Sequence, residues 1–125
     1  WKLCINAAGV VNALTLKPAG VSSDPYAARL MRDIVEETAA VGRAEGARLA
    51  IDIADEVIGI YRAQPPDSVN SLHADRMAGR PMEIDLRNGI VVELGARHGI
   101  PTPCNEMAVA LLKVNGPNSG TEVFK

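Results

Sequence analysis

Aromatic side chains are scarce in this chain: one Trp, two Tyr and one Phe among 125 residues. A core without rings has to be built from Ala, Val, Leu and Ile, which favours close helix packing over an aromatic-rich sandwich. Cysteine is almost absent too. Cys4 and Cys104 stand far apart with no CxxC or CxxH spacing, so no zinc site and no other metal is expected, and both read as buried free thiols. Charge of one sign is also lacking: 13 basic and 15 acidic residues are interspersed for a net charge of -2. Neither nucleic acid nor an anionic membrane surface has an electrostatic reason to bind. The longest apolar runs, such as Met107 to Leu112, fall well short of the ~20 residues that span a bilayer. No leader pattern opens the chain, and Trp1 in place of a methionine reads as a cut made within a longer protein.

Catalytic signatures are missing as well. A dinucleotide fold needs a strand, a glycine-rich turn and a helix N-terminus to hold the pyrophosphate, and no GxGxxG occurs. GxxxxGK[ST], HExxH and GxSxG are equally absent. Nor does the sequence show repeats or an alternation of strands with helices.

What is present is helical periodicity. The segment from Lys2 to Leu16 is apolar nearly throughout, and its length reads as one buried helix. Asp24 followed by Pro25 is an N-cap and a first-turn proline, after which Ala28, Leu30, Met31, Ile34, Val35 and Thr38 recur at helical spacing toward Gly46. A third helix is expected over Ile53 to Ala63, stopped by Pro65 and Pro66. A fourth runs from Ser68 to Met77 and closes at Gly79, with Asp75 and Arg80 straddling the turn as a pair. Ile84 to His98 reads as a fifth helix closed by Gly99, although Asn88-Gly89 inside it also suits a hairpin turn. Thr102 then caps a sixth, with Pro103 in its first turn, reaching Val114. Residues 115–125 are rich in Gly, Asn and Pro and are expected to form a flexible tail. The fold class is all-α.

Few polar residues stand out within this pattern. Lys2 and Asn6 are four apart, so on a helix they lie about 40° from each other and share a face. They read either as a snorkelling lysine beside a core amide or as one wall of a polar pocket. Glu83 suits a helix start, where a carboxylate meets the positive end of the dipole. Ser71 alone reads as a surface hydroxyl. His98, in a last turn, reads as a cation near the C-terminal dipole, and neither it nor His73 has a partner at ligand spacing.

Four stretches carry more information together than apart. They are WKLCINAA with NALT over residues 1–15, NSLHAD over 70–75, GRPMEID over 79–85 and NGIVVELGARHGIPTPCN over 88–105. In this order and approximate spacing they resemble the C-terminal domain of the ketopantoate reductase (2-dehydropantoate 2-reductase) family. The resemblance covers most of residues 1–114 and implies a compact multi-helix domain, similar to the C-terminal domain of 6-phosphogluconate dehydrogenase. It further implies an N-terminal Rossmann domain, absent from this chain, that binds NADPH. By resemblance Lys2 is the general acid that protonates the carbonyl oxygen, and Glu83 contacts the substrate hydroxyl and supports the lysine. Asn6, Asn12 and Ser71 match positions that hydrogen-bond the 2-oxoacid.

The implied reaction is the reduction of 2-dehydropantoate to pantoate in pantothenate biosynthesis, in the cytoplasm. Alternatives are reduction of another branched 2-oxoacid and a non-catalytic helical module for dimerisation or partner binding. Homodimerisation stays open. Departures from the family pattern bear on the substrate. The family's second asparagine comes eight residues after its lysine, where this chain has Val10 and places the amide at Asn12. On a straight helix Asn12 lies ~80° from Lys2 on the side away from Asn6, unless a bulge near Gly9 absorbs two inserted residues. Met82 stands for the usual threonine before the glutamate, and Leu72 for the methionine after the serine. One expected outcome is immediate: without a phosphate-cradling loop, the isolated chain should show no micromolar affinity in a calorimetric titration with NADPH. Micromolar binding would show the domain assignment to be wrong.

Overall fold

The computed structural model describes residues 1–115, and among them all regular structure is helical. Seven α-helices follow one another: α1 (Lys2–Ala8), α2 (Val10–Thr15), α3 (Pro25–Ala44), α4 (Ile53–Ala63), α5 (Ser71–Ala78), α6 (Asn88–His98) and α7 (Pro103–Asn115). Short 3₁₀ turns at Ala19–Ser23 and Ile84–Leu86 lead into α3 and α6. Of the expected tail, Asn115 closes α7 and residues 116–125 lie outside the described ones.

The long helix α3 organises the rest. Asp24 caps it as expected, its Oδ1 accepting from the backbone N–H groups of Tyr26 at 2.9 Å and Ala27 at 3.1 Å. Such a cap is worth ~1 kcal/mol. Ala28, Met31, Ile34, Val35, Thr38 and Ala39 form its buried stripe, at the i, i+3, i+4, i+7 spacing of one helix face. Met31, Ile34 and Val35 are wholly hidden, each contributing about 1.5–3 kcal/mol in apolar burial. α1 and α4 pack on this helix, α6 and α7 pack on each other and on it, and α2 pairs with α5.

Two of the expected helices are each interrupted. Lys2 to Leu16 is not one helix: the chain breaks at Gly9, separating α1 from α2. A Cβ at Gly9 would lie 2.8 Å from the Tyr61 hydroxyl and 2.9 Å from Asn70 Nδ2, so the absent side chain is what lets α4 and α5 approach. The other interruption separates the Ile84–Leu86 turn from α6 at Arg87, whose backbone at φ -116°, ψ -108° is non-helical. Asn88 then opens α6, which settles the Asn88-Gly89 ambiguity in favour of a helix start. The fourth helix begins at Ser71 rather than Ser68, because Asn70 caps it by accepting from His73 N–H at 2.8 Å.

Other terminators agree with the expectation. Gly79 and Gly99 adopt the left-handed conformation at φ 71° and 68°, and Arg80 Nε meets Asp75 Oδ1 at 3.0 Å across the first of them. His98 at the end of α6 pairs with Glu45 beyond α3. Thr102 stands at the N-cap position of α7, its carbonyl accepting from Glu106 N–H at 2.9 Å, and a second group closes the helix start. The free N–H groups of Cys104 and Asn105 donate to the Glu37 carboxylate of α3, at 2.9 and 3.0 Å. Cys4 is buried, whereas Cys104 is only partly so.

His73 on α5 is 2% exposed, and neither ring nitrogen has a hydrogen-bond partner among the described residues. Burial first, and the Arg76 charge second, hold its pKa below the ordinary 6.5. The folded chain therefore keeps the ring neutral more firmly than the unfolded chain does. Stability from this site is fully present above about pH 6.5 and declines as pH falls through the window below it. Urea midpoints at about pH 7.5 and about pH 5.5 should diverge in the native chain and differ less in His73→Leu.

Candidate functional site

Lys2 and Asn6 share a face of α1, as their spacing predicts; Lys2 is exposed and Asn6 half-buried. This face runs toward the Gly9 break, where three backbone carbonyls each take a side-chain donor from a different helix or its cap. Tyr61 of α4 donates its hydroxyl to Ile5 O at 2.7 Å. Asn88 of α6 donates Nδ2 to Ala7 O at 3.2 Å. Asn70, capping α5, donates Nδ2 to Gly9 O at 3.1 Å. Carbonyls near a helix end have spare accepting capacity, and here it is filled by protein. Burial pushes the Tyr61 hydroxyl up to about 12 against an opposing effect of the Arg87 cation, so at neutral pH it is a donor.

Asn12 lies in α2, beyond the Gly9 break. It is 2% exposed; its Nδ2 donates to Lys17 O at 3.0 Å and its Oδ1 accepts from Asn70 Nδ2 at 3.2 Å. Both ends of the amide are held inside the fold. The amide oxygen thereby positions Asn70.

Ser71 is exposed at the first position of α5, and its Oγ accepts from Arg87 Nη2 at 3.2 Å. Glu83 is exposed and left-handed at φ 51°, ψ 39°, a conformation costing a non-glycine residue roughly 1 kcal/mol or more. Its neighbours Met82 and Ile84, 6% and 8% exposed, hold it there: with both flanking side chains in the core, the carboxylate is turned outward. No direct ion pair joins Glu83 to Lys2 among the described residues. Thus Ser71 and the Arg87 turn are brought together, Lys2 and Asn6 line the adjoining helix, and Glu83 stands four residues before Arg87.

Tyr61, Asn70, Arg87 and Asn88 were not singled out by sequence reasoning. Asn70 and Asn88 do begin two of the stretches that carry the family resemblance; Tyr61 and Arg87 have no local signal. Among the described residues no three His, Cys, Asp or Glu side chains gather to hold a metal. Burial, and then the Glu37 carboxylate, push the Cys104 thiol up to about 11, which keeps it protonated and a poor nucleophile at neutral pH.

Comparison with known proteins shows the family of the chain. The family described as ketopantoate reductase PanE/ApbA, C terminal, matches residues 1–115. The chain belongs to this family. It is 63% identical over 113 residues to a 2-dehydropantoate 2-reductase of Caulobacter vibrioides, covering 90% of this chain and 39% of that protein. A 2-dehydropantoate 2-reductase of Mycobacterium tuberculosis is 40% identical over 119 residues, with 95% and 40% covered. The chain thus spans about two fifths of the length of these relatives. Among solved structures, a PanE/ApbA family ketopantoate reductase from Ralstonia eutropha superposes with a TM-score of 0.83 at 35% identity, over 91% of this chain and 39% of that one. A dimeric ketopantoate reductase from Staphylococcus aureus reaches 0.87 over 95% of this chain and 42% of that one, and at 22% identity it supports the fold alone.

The close approach at the Gly9 break makes one glycine testable. Gly9→Ala should destabilise the domain by about 1–3 kcal/mol through the clash with Tyr61 and Asn70, despite alanine's better helix propensity. Gly59→Ala in α4 is the control: its Cβ meets nothing within 4 Å, so it should stabilise by up to ~1 kcal/mol. Urea denaturation of both variants reads the contrast.

Proposed function

We propose that this chain is the substrate-side domain of an NADPH-dependent reductase that converts 2-dehydropantoate to pantoate. The reading rests on one observation: the Lys2–Asn6 face of α1 leads to the break beside which Ser71 stands, in a chain 63% identical to a named 2-dehydropantoate 2-reductase. No strand and glycine-rich turn occur among the described residues, so the dinucleotide's pyrophosphate has no cradle here and belongs to a separate Rossmann domain. When bound, NADPH supplies the hydride that reaches the carbonyl carbon.

What this chain adds follows from the chemistry of the acceptor. A ketone that gains hydride becomes an alkoxide, and its oxygen needs positive charge and then a proton. The Lys2 ammonium provides both, a contribution of ~10²- to 10⁴-fold for a positioned general acid. Glu83 orients that ammonium and accepts from the substrate hydroxyl; Asn6 and Ser71 hydrogen-bond the acid and fix its face. Asn12 acts through Asn70 without touching substrate. Reduction of another branched 2-oxoacid is the second reading, favoured by the withdrawn Asn12. Met82 and Leu72 do not add to it, since both side chains are buried in the core. The complete enzyme, with its nucleotide domain, works in the cytoplasm.

In the full-length enzyme Lys2→Ala should lower kcat by ~10²-fold or more, and Asn6→Ala should raise KM for 2-dehydropantoate more than KM for NADPH. A carboxylate favours the charged form of a nearby ammonium, so Glu83→Gln should move the basic limb of the pH–rate profile to lower pH. Unchanged steady-state kinetics in all three variants would remove the site as drawn.

A further inference from the structure

Arg29 and Arg48 of this domain are exposed and form no ion pair or side-chain hydrogen bond among the described residues, and the other arginines differ in what holds them. Arg32, Arg80 and Arg97 pair with carboxylates at 2.6, 3.0 and 2.9 Å. Arg43, Arg62 and Arg76 donate to backbone carbonyls. Arg87 is half-buried, has no carboxylate within 4.0 Å among the described residues, and directs its guanidinium at the Ser71 hydroxyl, 3.2 Å away. A guanidinium carries five donors in a rigid fork, and this contact uses one.

The support beneath Arg87 is rigid. Its N–H donates to Ile84 O at 3.1 Å, and its carbonyl accepts from Ile90 N–H at 3.2 Å. The next residue, Asn88, is fully buried and tied by Nδ2 to Ala7 O at 3.2 Å and to Asn105 Oδ1 at 2.8 Å. The guanidinium is thus mounted on a turn fastened to α1 beside Asn6, and its charge is felt at the Tyr61 hydroxyl at the same break. A half-buried cation held in place beside a hydroxyl, without a counter-ion, is suited to a planar anion.

We infer that Arg87, with the Ser71 hydroxyl, binds the carboxylate of the 2-oxoacid substrate. This rests on the reductase reading above and adds to it a division of labour: Lys2 addresses the carbonyl oxygen, and Arg87 anchors the acid end. An anchor on the carboxylate, which is bonded directly to the reacting carbonyl carbon, lowers KM and selects for acids over uncharged ketones.

The test uses the full-length enzyme with Arg87→Gln and Arg87→Lys, both checked for native thermal unfolding so that at least one folded variant is read. Substrates are 2-dehydropantoate and its carboxamide, the same molecule without the negative charge. Loss of a charge-assisted bidentate contact corresponds to a KM increase of about 10- to 100-fold. Arg87→Gln should show that increase for the acid, little change for the carboxamide, and an unchanged KM for NADPH; Arg87→Lys should recover part of the loss. An equal loss on acid and amide, no loss on the acid, or a rise in KM for NADPH instead would overturn the assignment, the last by placing Arg87 on a cofactor phosphate. If the native enzyme reduces no 2-oxoacid, the reductase reading itself falls and takes this inference with it, an outcome separable from all the others because it appears before any variant is made.

Discussion

Three carbonyls at the end of α1 govern how this domain is assembled. Ile5 O, Ala7 O and Gly9 O lie within one turn of the break, and each is held by a side chain from another part of the chain: Tyr61, Asn88 and Asn70. Buried carbonyls have to be satisfied, and a donor left unpaired by the loss of its acceptor costs ~1–3 kcal/mol. The arrangement therefore specifies a position for α4, α5 and α6 relative to α1, where apolar contact alone would tolerate sliding. Gly9 is the condition for it, because any Cβ there would occupy the space of the Tyr61 hydroxyl and the Asn70 amide.

From Asn88 the polar network continues inward. Its Nδ2 also reaches Asn105 Oδ1, Asn105 Nδ2 donates to Glu37 Oε1 at 2.9 Å, and Glu37 closes the start of α7. One connected set of side chains joins α1, α3, α6 and α7 through the middle of an aliphatic core. Hydrogen bonds in such surroundings are strong when complete and costly when broken. The network ties α1, which carries Lys2 and Asn6, to the start of α6 beside Arg87.

Legibility differed by residue for physical reasons. The caps at Asp24, Gly79 and Gly99 act through neighbours one to three positions away, so their residue types announce them. The Lys2–Asn6 face follows from helical spacing. Glu83 could be named only by resemblance, since a carboxylate before an apolar segment equally fits a first-turn acid; its left-handed backbone depends on Met82 and Ile84 both entering the core. Asn12 matched a family position by type, and its burial between Asn70 and the Lys17 carbonyl depends on contacts no local spacing encodes. Arg87 looked like any surface arginine until its half-burial and its contact with Ser71 were visible.

By itself the sequence determined that this is an aliphatic, all-helical domain without a nucleotide loop, that its main helix starts at Asp24, and that four ordered stretches tie it to one family. These properties are local: periodicity, caps and breakers act within a few residues, and composition acts everywhere. Only the tertiary structure decided where the first helix breaks, which amides face inward and which arginine lies half-buried against Ser71. Those depend on groups such as Ala7 and Asn88, 81 positions apart, and no spacing rule along the chain encodes a contact at that distance.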